Sequence, residues 1–305
     1  MRTHIAIAGL ILCTFAPSTG WSQVPPFVKS WGSFGRGSTQ FLTPVGVAVD
    51  ADGIVYVVDS NLHSLKRFTG GGIYLSEWPV TYPAGVALDA SGYVYVTQFY
   101  ANVVSKFTKS GTLVAQWSAI GSGIAADADG SVYVAGVDQL LKFSSSGTLL
   151  SAWGGPGTAN GQFSGLDGVA VDGQGHVYTA EFLGSRIQKF TTSGTYLTQW
   201  GIFGSGNGQF NYPVRLATNP NGDLVYVVDN RNERVQVFTT SGDYLGQWGT
   251  AGNGPGQFLN PIGIALDAHG NVFVADTNNS RIQAFGDVAT PTRLMGWGHL
   301  KSLYR

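Results

Sequence analysis

The chain has 305 residues, with 17 Lys and Arg against 18 Asp and Glu and a formal net charge of −1. Charged residues are 11% of the total, well under the roughly 25% of an ordinary soluble domain, and 44 glycines with many Ser, Thr and Asn supply the backbone freedom and polarity instead. That balance excludes a broadly basic surface for nucleic acid or anionic membrane, and a single cysteine, Cys13, excludes a disulfide framework and thiolate metal sites.

At the N-terminus, Met1-Arg2-Thr3-His4, an apolar run from Ile5 to Phe15 and the small residues up to Ser22 have the form of a secretory signal peptide over residues 1–22. Its expected destination is secreted or periplasmic. The run is too short for a lasting transmembrane helix, so no stable membrane span is expected, and Leu12 is too large to precede a lipid-modified Cys13. Pro25-Pro26 end the leader. Phe27-Val28-Lys29-Ser30-Trp31-Gly32 then matches Tyr196-Leu197-Thr198-Gln199-Trp200-Gly201, which closes a later repeat, yet no earlier part of a repeat precedes it.

From there one unit recurs six times. Asp50, Asp89, Asp127, Asp172, Asn219 and Asp267 each stand three residues before a glycine, a turn that folds one short apolar run back on the next. A second polar turn leads to a third run ending in Phe68, Phe107, Phe143, Phe190, Phe238 or Phe285. In the first five copies a tryptophan follows ten residues later, at Trp78, Trp117, Trp153, Trp200 and Trp248, and the constant offset implies a fourth strand. Four strands at a period of roughly 40 to 48 residues predict an all-β, six-bladed β-propeller of four-stranded antiparallel blades. The propeller is expected over residues 23–287, with the ring closed by the N-terminal strand Phe27–Trp31 and residues 288–305 left as a tail. A rival closing strand is Arg293 to Gly298, whose Trp297 lies twelve residues beyond Phe285 instead of ten. Blade 3 is the shortest copy and should leave a notch.

The motifs G-Q-F-x-x-P, G-x-A-x-D, V-Y-V-x-D and R-I-Q-x-F resemble the NHL-repeat family across about residues 27 to 287. The resemblance implies a six-bladed propeller. It says little about activity, because the family's functions are diverse.

In such blades the Asp-x-x-Gly and Ser-Gly turns share one face, and the loops after the second and fourth strands share the other. Four of the latter, 32–41, 153–163, 201–210 and 249–258, are long and read as variable loops, where binding is usually placed. On that face Glu181 and Arg186, Asp229 and Arg234, and Asp276 and Arg281 repeat at one offset, as expected of pairs that brace the loop. The candidate ligand-binding residues are Phe99, Tyr100, Phe182 and Arg231 on this face, with Asp167 and Arg215 at the channel mouth. Arg215 replaces a glycine found in every other copy; either it pairs with Asp167 across adjacent blades or it meets an anionic group of a ligand.

No convergent catalytic set is visible, so the expected function is a non-catalytic scaffold for a protein or an extracellular polymer, without cofactor, metal or nucleic acid, as a monomer. The alternative is a metal-dependent enzyme at the channel mouth. Propellers resembling peptidyl-amidating lyases would need several histidines on Zn²⁺, whereas His63 falls on the face opposite His176 and His269. Lactonase-like ones would need Ca²⁺ ligands, of which Asp167 is one.

Overall fold

The computed structural model describes residues 24–286. The expected leader with Cys13, the 288–305 tail and the rival strand around Trp297 lie outside the described residues.

Each Asp-x-x-Gly turn is built by its own carboxylate. In blade 1, Asp50 Oδ1 accepts the backbone N–H groups of Asp52 and Ile54 at 3.0 and 2.9 Å, while Oδ2 accepts the Tyr56 hydroxyl at 3.1 Å. The turn is thus fixed to the strand it launches. Asp89, Asp127 and Asp172 repeat the arrangement with Tyr95, Tyr133 and Tyr178. Burial and the facing carboxylate raise all four phenols far above the ordinary tyrosine range, so they remain hydrogen-bond donors.

These turns join β-branched and aromatic runs into six four-stranded antiparallel sheets. Blade 1 comprises Pro44–Val49, Ile54–Asp59, Ser64–Thr69 and Tyr74–Pro79 from the axis outward. Blades 2 to 5 follow the same order. Blade 6 takes Pro261–Leu266, Val272–Asp276 and Arg281–Phe285 from one end of the chain and Phe27–Trp31 from the other. Phe27 lies opposite Phe285 and Trp31 opposite Ile282. The expected N-terminal closure is therefore present. Inner strands contact one another in the cyclic order of blades 1 to 6 and back to 1, which puts blades 2 and 5 on opposite sides of the axis.

Adjacent blades are locked by tryptophan. Trp78 on the outer strand of blade 1 packs on Phe107 of blade 2 with ring centroids 6.1 Å apart, and Trp117, Trp153, Trp200 and Trp248 repeat the contact on Phe143, Phe190, Phe238 and Phe285. Trp31 completes the circle on Phe68 at 6.1 Å. The glycine of the next blade's turn lies under five of these rings: a Cβ at Gly72, Gly111, Gly147, Gly194 or Gly242 would come within 2.6 to 2.9 Å of the indole. Those glycines combine positive φ with contact, since any side chain would push the neighbouring wedge out. None of the six indole N–H groups finds a protein hydrogen-bond partner, so the rings are held by shape.

Deleting a wedge leaves a cavity between two sheets. Trp78→Ala is expected to lower the unfolding free energy by about 3–5 kcal/mol, and Trp78→Phe by clearly less, because the indole N–H contributes no bond. Denaturant unfolding of the two variants checks this; equal losses would show that the N–H matters. A chain beginning at Gly32 should melt lower than Trp31→Ala, since it also unpairs Arg281–Phe285.

Candidate binding face

The long loops are less variable than their sequences suggest. In loop 32–41, Gly35 and Phe41 donate N–H bonds to Phe41 and Ser33 carbonyls at 3.1 and 2.9 Å, and Gln40 Oε1 accepts the Gly37 N–H at 2.9 Å. The same backbone ladder and Gln contact recur around Phe163, Phe210 and Phe258. All four phenylalanines are buried, each against the third-strand Phe of its own blade. The four loops are copies of one rigid hairpin, differing mainly at tips such as Phe34 and Phe203, which are 76% and 72% exposed.

The carboxylate–arginine pairs brace these loops. Arg234 Nε donates to Asp229 Oδ2 at 2.7 Å, and its Nη atoms donate to the carbonyls of Ser205, Gly206 and Gln209. Arg186 with Glu181 and Arg281 with Asp276 do the same for their loops. In blade 1, Lys66 takes the role, donating to Gly37 and Gln40 carbonyls at 2.7 and 2.6 Å. Burial raises the Asp229 carboxyl above the usual carboxylate value, against the Asn211 N–H, Asn232 and Arg234 bonds that favour its ionised form.

The channel mouth is closed. Gly46, Gly85, Gly123, Gly168 and Gly263 ring it, and at Gly85, Gly123 and Gly168 a Cβ would overlap a carbonyl of the next blade. Arg215 fills the space that this ring leaves. Its guanidinium lies 3.2 Å from Asp167 Oδ2 in blade 4, donates to the Asp167 main-chain carbonyl, and reaches the Ala84 carbonyl of blade 2 at 3.4 Å. The Ser122 hydroxyl of blade 3 donates to Asp167 Oδ1. Asp167 and Arg215 are thus brought together, and the pair links four blades, Arg215 joining blade 5 to blades 4 and 2 and Asp167 receiving Ser122 of blade 3.

Around this plug the other candidates form two separate pads. In the first, Tyr100, 74% exposed, stands edge-on to Phe99 at 5.5 Å and to Tyr82 at 5.3 Å, and Tyr82 contacts His63 at 4.2 Å. The Tyr82 N–H donates to His63 Nδ1 at 3.1 Å. In the second, Phe182 lies 5.5 Å from Tyr212, and the Arg231 guanidinium sits 5.0 Å over the Tyr212 ring.

Sequence reasoning missed Tyr82 and Tyr212. Both immediately precede the inner strand of their blade, with φ of 47° and 59°. Gly165 and Asn260 hold the same place in blades 4 and 6, also in the left-handed region. That conformation suits Gly or Asn and costs a bulky residue of order 1–3 kcal/mol. The available signal was a tyrosine aligned with Gly and Asn.

Elsewhere, Asp50, Asn219 and Asp267 line a cavity of about 310 Å³ at the other end of the channel, but their side-chain oxygens are engaged in their own turns. Among the described residues no three His, Cys, Asp or Glu side chains converge as a metal set. His176 Nδ1 is 2.9 Å from Asp172 Oδ2. Burial alone would raise Asp172, but bonds from the His176 backbone and ring, Tyr178 and the Gln174 N–H outweigh it and lower its pKa.

Arg234→Met strands a buried carboxylate and should cost about 3–5 kcal/mol at neutral pH. A folded-state pKa that is raised means that the folded chain binds the proton more tightly, so the deficit relative to wild type should shrink as pH falls through the Asp229 titration. Denaturant unfolding of both proteins across pH checks it; a constant deficit would contradict the assignment.

Comparison with known proteins agrees with this architecture. Residues 41–68, 210–238 and 258–285 match the NHL repeat. No curated protein matches the sequence. Among solved structures, the chain is similar to virginiamycin B lyase from Staphylococcus aureus, with a TM-score of 0.57 and 16% identity over 85% of this chain and 87% of that one. It is similar to Kuenenia stuttgartiensis hydrazine synthase, with a TM-score of 0.60 and 13% identity over 82% and 97%. A chain of a nidogen/laminin complex gives 0.58 and 15% over 73% and 85%. At these identities the likeness is one of fold.

Proposed function

We propose that this six-bladed propeller with NHL repeats is a secreted or periplasmic binding scaffold, which holds a protein or an extracellular polymer on its long-loop face. The observation that carries the reading is the set of exposed aromatic side chains on that face, Phe34, Tyr82, Phe99, Tyr100 and Phe203, set on loops whose backbones are already fixed. Rigid aromatic groups with few rotatable bonds lose little entropy on contact and are the usual anchors of binding surfaces. Phe182 and Arg231 extend the surface, and Arg215 with Asp167 forms its floor.

The fold does not choose between binding and catalysis, since its structural neighbours include a lyase and a chain of a nidogen/laminin complex. The chemistry of the mouth favours binding. For Asp167 to serve a divalent ion, it would have to give up the Ser122 hydroxyl and the Arg215 guanidinium together.

Immobilised residues 23–305 should retain a ligand from the extracellular or periplasmic fraction of the source cells. The double variant Phe99→Ala, Tyr100→Ala should lose about tenfold or more of the affinity, while Leu149→Ser on the outer rim of blade 3 should not. Undiminished retention by the double variant would remove the face assignment.

A further inference from the structure

We propose that the ligand is a neutral polysaccharide strand, laid across the sealed channel mouth and gripped by the two aromatic pads on opposite blades. This rests on the binding-face reading above and names its ligand.

Three observations lead there. The first is position. Tyr82 belongs to blade 2 and Tyr212 to blade 5, and Arg215 runs between those two blades to reach the Ala84 carbonyl. A ligand touching both pads must pass over the guanidinium, and it cannot enter the channel, because the glycine ring and Arg215 occupy the axis. The site is therefore a track for an extended molecule lying from one blade to the opposite one, not a pocket within the channel.

The second is strain. The backbone at these two places takes the left-handed conformation that Gly165 and Asn260 adopt in blades 4 and 6, yet blades 2 and 5 carry tyrosine there. Side chains that oppose the local backbone preference mark positions kept for something other than folding. Each tyrosine ring is also packed in place, Tyr82 by the His63 and Tyr100 rings and Tyr212 by Phe182 and Arg231.

The third is charge and polarity. Beyond the internal bridges, the described loops of this face carry Arg36, Arg231, Asp138 and Glu233, two of each sign, and Glu233 accepts the Asn260 N–H at 2.7 Å. Such a face offers no field to an anionic glycan or a charged peptide. Asparagines stand close to the pads in the chain: Asn61, whose amide donates to Thr43 Oγ1 at 2.7 Å, two residues before His63, Asn102 two after Tyr100, and Asn211 next to Tyr212. Pyranose rings present C–H faces to aromatic π-systems and hydroxyls to amides and phenols, so exposed aromatic rings and phenols on a face with few, balanced charges fit a neutral sugar chain.

The test is calorimetric titration of residues 23–305 with neutral glucan, mannan and chitin oligosaccharides, each from the monosaccharide to the octasaccharide. A sulfated glycan serves as the charged probe. For at least one neutral series, affinity should rise with length and level off once both pads are spanned, with little response to salt. Tyr82→Asn and Tyr212→Asn should each weaken binding of the long oligomer about tenfold or more while leaving the melting temperature unchanged or raised. Length-independent affinity, preference for the sulfated glycan, or lower melting temperatures in the Asn variants would overturn the proposal. So would an absence of binding to every neutral glycan. If that last result came with a retained protein ligand lost in Phe99→Ala, Tyr100→Ala, the binding face would stand and only the glycan assignment would fall; if retention were also unaffected, both would fall.

Discussion

The structure depends on one repeated contact, an indole from each blade wedged against the third-strand phenylalanine of the next. A four-stranded sheet has two apolar faces and cannot bury either alone, so every blade depends on both neighbours. The wedge converts six marginal sheets into one body, and Trp31 carries it across the gap between the chain's ends. Lysines on the blades add a second tie of the same sense: Lys106, Lys142 and Lys189 each donate to a turn carbonyl of the following blade.

That rigidity reaches the binding face through the third strands. The phenylalanine that receives an indole also receives the buried Phe of a long loop in blades 1, 4, 5 and 6, and the arginine at the start of the strand in blades 4 to 6 ties down the loop carbonyls. The long loops are thereby tied to the strands through both backbone and side chains. What varies lies in the hairpin tips, in the short loops after the second strands, and at the two positions where tyrosine stands in a backbone suited to glycine or asparagine. The surface combines a fixed frame with a few exposed side chains, and those are the groups free to be specialised without cost to the ring.

Most of the fold could be read from the residues. The constant Phe-to-Trp spacing implied a fourth strand, and the orphan Phe27–Trp31 segment implied closure, because an outer strand with no blade before it has one place to go. Arg215 stood out as the exception in a column of glycines, and its pairing with Asp167 is as that exception suggested. The braces between Arg234 and Asp229 and their relatives were equally legible from their offset. The loops were misjudged: their sequences differ at the tips, which draws attention, while the shared skeleton resides in a glutamine and backbone amides that carry little visible pattern. The pads were half seen. Phe99 and Tyr100 are adjacent in sequence, but Tyr82 and His63 meet them, and Tyr212 meets Phe182 and Arg231, only through loops distant in the chain, and part of what marks the tyrosines is a backbone angle, which a sequence does not display.

Ring closure is most directly tested by amide hydrogen exchange on the intact chain. The account predicts that the amides pairing Arg281–Phe285 with Phe27–Trp31 exchange only through global unfolding, at the slow rate of the Ile54–Asp59 and Ser64–Thr69 pair in blade 1. Fast, independent exchange in blade 6 with the other five blades still protected would contradict it, since the ring would then be standing without its seal.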